Sequence, residues 1–116
     1  MSAEKITARQ AVAWARAHGA VPHVVDGSTV RSQAAALEAI GEALDFPSHY
    51  GRNLDGLFTC LTDLSWLPDG QHVLVWAHHQ VLAERDWQAY QQVRSVLESG
   101  AAAGPARRLT VMFTSS

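Results

Sequence analysis

The chain has 116 residues, 47% hydrophobic and 17% charged, which suits one folded domain with a modest core and excludes a disordered chain. Its formal net charge is −2, which argues against a nucleic-acid binder built on a basic face. Cys60 is the single cysteine, no stretch reaches the ~18 apolar residues of a membrane span, and Met1–Arg9 has no apolar run of signal-peptide type. A reducing compartment without membrane attachment, the cytoplasm, is therefore expected.

In chain order, Thr7-Ala8-Arg9-Gln10 has capping-box spacing and opens a helix expected over 7–18, with Gly19 at its end. Val21–Val25 reads as a short strand, with Pro22 at an edge-like start, and Asp26-Gly27 as a turn. Ser32 caps a helix expected over about 33–44, whose Ala36, Leu37, Ile40 and Leu44 keep helical spacing. Pro47 interrupts the chain, and a second helix is expected over 52–64 with Leu54, Leu57, Phe58 and Leu61 on one side. Leu67–Gly70 is a turn, and Val73–Trp76 suits a buried strand. A helix over 83–98 and a last strand over 109–113 follow, with Gly100 and Pro105 as stop signals between them. Strands separated by helices point to an α/β fold with parallel pairing.

The charge is uneven. Between Ser32 and Trp66 five acids (Glu38, Glu42, Asp45, Asp55, Asp63) face Arg52 alone, a net −4, while the rest of the chain is positive. Such a segment can meet a basic partner, although acids also suit helix N-termini and solvated surfaces. There is no glycine-rich phosphate loop and no paired-cysteine signature, so no cofactor or metal is expected. His72, His78 and His79 form a histidine group that reads as polar residues after a strand, and Cys60, between Phe58 and Leu61, as a small core residue. Asp55 and Asp63 are eight residues apart, about 12 Å along a helix axis, too far to act on one bond but suited to two points of one surface. An acid–base site on His49 and Asp55 would lack a nucleophile or cofactor.

The segment Pro47–Asp63 carries the most information. Pro47 stops a helix, Gly51 permits an unusual backbone turn, and an aromatic and polar loop leads into a helix N-terminus. His49, Asn53, Asp55, Thr59 and Asp63 would face outward, with Leu54, Leu57, Phe58 or Cys60, and Leu61 inward. A rigid helix face beside a loop suits recognition of another protein.

The run Tyr50-Gly51-Arg52-Asn53-Leu54-Asp55-Gly56-Leu57, followed by Cys60-Leu61-Thr62-Asp63, resembles the barstar family of ribonuclease inhibitors. The likeness extends through Val24–Gly27, Leu44–Pro47, the strand ending at Trp76, and Leu109–Phe113, so that residues 21–116 form a barstar-like domain and residues 1–20 a helical extension. The resemblance implies a three-stranded parallel sheet packed with helices, and an inhibitor, not an enzyme, that plugs the active site of a secreted guanyl-specific ribonuclease with residues 49–63. The partner would be an extracellular-type microbial ribonuclease bound one-to-one, with no nucleic acid and no membrane. By the same resemblance His49 stands where an aromatic packs on the nuclease, Gly51 at a close backbone approach, and Asn53 and Asp55 at polar contact positions. Phe58 replaces a tryptophan, and Leu64 falls near another aromatic contact. Thr59 stands where the family has its dominant interface aspartate. Asp63, four residues on, can supply that charge, or the partner is a less basic nuclease. The family's acidic contact on its third helix falls near Ser95 or Glu98. The alternative reading is a barstar-like binding or immunity module directed at a different toxin or enzyme.

Overall fold

The computed structural model describes residues 6–104 and 108–116. Helix α1 (Ala8–Ala17) begins as its sequence dictates: Thr7 accepts from the Gln10 amide while the Gln10 side chain accepts from the Thr7 amide. Strand β1 (Val21–Asp26) and a 3₁₀ turn over Gly27–Thr29, capped by Asp26, lead to α2 (Gln33–Ala43), capped by Ser32. A second 3₁₀ turn over Ser48–Tyr50 precedes α3 (Leu54–Asp63), and β2 (His72–Ala77) follows. Then come α4 (Gln80–Arg85), α5 (Trp87–Ala103) and β3 (Leu109–Phe113).

The three strands form the expected parallel sheet, in the order β1-β2-β3, with Val21 opposite His72 and His72 opposite Leu109. Every residue of the central β2 is buried, because helices cover both faces of the sheet. The alternation of a strand assigns the two faces. Leu74 and Trp76, with Val25 and Leu109, join the main core with α2, α3, α4 and α5, while Val73 and Val75 meet Ala11 and Ala15 of α1. Helix α1 therefore packs on the sheet and supplies a second, smaller core. No helix among the described residues is long and apolar enough to cross a membrane.

Strand β1 is an edge. The Val21 amide donates toward β2, to Gln71 O, so in a parallel ladder the amides of Val21, His23 and Val25 face β2 and those of positions 22, 24 and 26 face outward. Pro22 thus removes a donor from the free edge, where proline is tolerated and discourages further strand pairing.

Three expectations are corrected. The single helix over 83–98 is two helices. Asp86 takes an extended backbone at φ −155 and caps α5 through the Ala89 amide, while α4 ends before it. The second helix starts at Leu54 instead of 52, because Gly51 and Arg52 adopt left-handed conformations at φ 79 and 52. Gly100 does not stop α5; it lies inside the helix, where a Cβ would stand 2.7 Å from Leu61, and so lets α5 approach α3 closely. Pro105 lies outside the described residues.

Candidate functional site

The loop before α3 is held by Tyr50. Its ring is buried, meets Phe46 edge-on at 4.7 Å, and its hydroxyl donates to Leu37 O on α2 at 2.9 Å. Burial, reinforced by the nearby Cys60 and opposed by Arg52, pushes the phenol up to about 12, so it remains a donor at neutral pH. With Tyr50 directed inward, its neighbours Ser48 and His49 are exposed. Gly51 then turns the chain in the left-handed region, and Asn53 caps α3 by accepting from the Gly56 amide at 2.6 Å. A Cβ at Gly56 would stand 2.2 Å from Tyr50 O, so the first turn of α3 lies directly on the loop. Asp45, Arg52 and Leu64 all hold positive φ without being glycine. Three such residues between 45 and 64 cost of order 1–3 kcal/mol each, which the packing around Tyr50 and α3 must offset.

Helix α3 divides into two faces. Leu57, Cys60 and Leu61 are buried in the main core. Burial, with the Asp63 charge as a second cause, pushes the Cys60 thiol up, which makes it an unreactive core residue. Asp55, Phe58, Thr59 and Asp63 are exposed on the opposite side. Of the two inward candidates, Cys60 is buried and Phe58 is 40% exposed, an aromatic on an otherwise polar face. Thr59 sits one helical turn from each flanking acid, about 6 Å along the axis. Of the eight predicted contact residues, the structure brings His49, Gly51, Asn53, Asp55, Phe58, Thr59 and Asp63 to the exposed surface of one continuous loop and helix. Leu64 departs from this group: at 2% exposed it is a core residue whose φ of 53 closes α3, so its side chain offers a partner nothing. Asn53 is exposed, but its carbonyl is committed to the helix cap.

The acids on this side are in no ion pair among the described residues. Among the described residues the one ion pair is Arg94–Glu98 at 3.4 Å on α5, so Glu38, Glu42, Asp45, Asp55 and Asp63 have no cationic side chain within 4 Å. Glu38, Glu42 and Asp45 line an open groove with Tyr50, Gly51 and Arg52, beside the 48–53 loop. On α5, Ser95 is exposed and free of side-chain hydrogen bonds among the described residues, whereas Glu98 is engaged by Arg94.

Asp55 lies in the first turn of α3, where the helix dipole favours an acid; Asp63 lies in the last, where it does not. Replacing Asp63 with asparagine is therefore expected to stabilise the free protein, by about 0.3–1 kcal/mol at low salt. Urea unfolding at two ionic strengths checks this, since the gain should shrink as salt rises. A loss of stability in D63N would mean that Asp63 supports the fold.

One pairing was not anticipated. His72 is not a polar residue after a strand but a fully buried member of β2, whose ring meets that of His23 on β1 at 2.9 Å. Its alternation with Leu74 and Trp76 was the available signal. His78 and His79 do follow the strand, and His79 meets the Tyr90 hydroxyl at 2.6 Å.

The comparisons with known proteins concern the chain as a whole. A family model described as Barstar (barnase inhibitor) matches residues 20–114. A Bacillus subtilis (strain 168) protein named "Putative ribonuclease inhibitor YrdF" is 40% identical over 45 residues, 39% of this chain and 50% of that protein. The match thus spans about half the length of that relative.

Proposed function

The chain belongs to the barstar family, and we propose that it inhibits a secreted guanyl-specific ribonuclease by covering its active site with the loop and helix at residues 49–63. The observation that carries the proposal is the α3 face: Asp55 and Asp63, two exposed acids with no ion-pair partner among the described residues, bracket Thr59 and the exposed Phe58 on a helix anchored in the core. A ribonuclease site is positive where it holds phosphate. Acids fixed on a rigid helix match that field without the ordering cost a flexible segment would incur. The inhibitor acts by occupation, one-to-one and without catalysis. It acts in the cytoplasm, where it captures nuclease that has not been exported. The acids of the neighbouring groove add to the field that steers the encounter.

Thr59 favours a second reading, a family module turned to a different toxin or enzyme. The scaffold is kept while the family's principal acid is absent. Capture separates the two. The chain, immobilised and exposed to the secreted and intracellular proteins of its own source, should retain a ribonuclease at one equivalent. Retention of a protein without ribonuclease activity would overturn the first reading in favour of the second.

A further inference from the structure

The free edge of β1 is blocked at one residue and open at the next but one. Pro22 has no N–H to offer, whereas the outward N–H and C=O of Val24 have no hydrogen-bond partner among the described residues, and Val24 is 47% exposed. A groove runs along this edge, with Val24 and Asp26 on one side and α2 on the other. Small or buried apolar residues, Val30, Ala35 and Ala39, make its floor, so α2 leaves the space beside the strand unfilled. The charged residues that line it are all acids: Asp26, Glu38 and Glu42. They are exposed, and among the described residues none is in an ion pair.

The spacing of these groups defines what fits. Ala43 O, at the end of α2, meets the His23 ring, so α2 runs back along β1, with Glu42 near the level of His23 and Glu38 one turn on, toward Val25. Glu38 and Glu42 are about 6 Å apart along the helix axis, and alternate residues of a strand are about 6.6 Å apart. His23 and Val25 point to the α2 face of the sheet and Val24 to the other. A strand added at this edge therefore sets the residue opposite Val24 on the Val24 face and turns its two neighbours toward Glu42 and Glu38. We propose that the β1 edge takes an extended basic segment of a partner protein as a fourth, antiparallel strand, with an apolar residue opposite Val24 and a lysine or arginine on each side of it. A second copy of this chain does not fit. Antiparallel pairing of two β1 edges about Val24 sets the Asp26 carbonyl of each against a proline without an N–H, and brings two sets of the same three acids together. The edge lies off the 49–63 face, so the proposal stands apart from the ribonuclease reading.

The probe is a pentapeptide blocked at both ends, acetyl-Thr-Lys-Val-Lys-Thr-amide, titrated into the full chain at low salt while the backbone amide resonances are followed. Saturable shifts of the Val24 and Asp26 amides are expected. No shift there at about 10 mM peptide, or shifts confined to residues 45–63, overturns the proposal. Methylating the nitrogen of the central valine keeps every charge of the peptide and removes the N–H directed at Val24 O, so the saturable shifts should disappear. Equal binding of the methylated peptide overturns the strand pairing. Glu38→Gln/Glu42→Gln alters two exposed side chains outside the core. It should weaken the peptide by roughly two- to 30-fold, an effect that fades as salt rises, and unchanged affinity overturns the charge match. Val24 and Asp26 amides that move on simple dilution of the chain would place a second copy at the edge and overturn the basic occupant.

Discussion

Trp76→Ala is expected to cost about 3–5 kcal/mol of folding stability, the largest effect of any single substitution considered for this chain. Trp76 is fully buried on the central strand, with Tyr90 of α5 and Phe113 of β3 at ring separations of 5.7 and 6.0 Å. Removing the indole opens a cavity where the main core meets the sheet, and packed neighbours collapse into such a space only in part. A domain of this size holds roughly 5–15 kcal/mol in all, so the variant would lose a third of its stability or more. The indole N–H has no hydrogen-bond partner among the described residues. Trp76→Phe therefore forfeits volume but no hydrogen bond, and should cost clearly less than alanine. Urea unfolding of the three proteins checks both statements. A cost below about 1 kcal/mol for Trp76→Ala would mean that the sheet does not pack as described.

The second large effect concerns binding. Asp55→Ala and Asp63→Ala are each expected to weaken the hold on the ribonuclease by about 1–3 kcal/mol, a loss of roughly five- to 150-fold. The two positions are about 12 Å apart along α3 and share no partner, so the double variant should lose nearly the sum. Much of that loss should come from slower association and fade as salt rises, because both acids are exposed and, among the described residues, neither is in an ion pair. Thr59→Ala, which removes no charge, should cost less than either. Replacement of Asp63 is expected to help the free helix and harm the complex, two opposite effects that a purely structural role would not produce.

Much of this was legible in the residues. The residues predict strand Leu109–Phe113 with the bounds it has, and α1 and α2 lie within one residue of their expected ends, because caps at Thr7 and Ser32 and clear apolar periods coincide there. The misreadings arise where one local signal masks another. Across Asp86 the positions Ala83, Trp87 and Tyr90 keep a helical spacing, which conceals the cap that divides α4 from α5. At α3 the Asn53 cap was present in the sequence, but Arg52 is an ordinary helix former, and only the backbone shows it at positive φ. The resemblance puts Leu64 near an aromatic contact position, yet a left-handed closing residue turns it into the core. The His23–His72 pair depends on the register of β1 against β2, which no single segment encodes.

The central claim is that the 49–63 face closes a ribonuclease site, and inhibition of RNA cleavage tests it most directly. A guanyl-specific secreted ribonuclease from the same source, at fixed concentration, is titrated with the wild-type chain and with the Asp55→Ala/Asp63→Ala double variant. The account predicts that activity falls linearly to nothing at one equivalent of wild type, and that the double variant gives a shallow curve needing large excess. No inhibition by wild type at micromolar concentration, or equal inhibition by the two proteins, would contradict it.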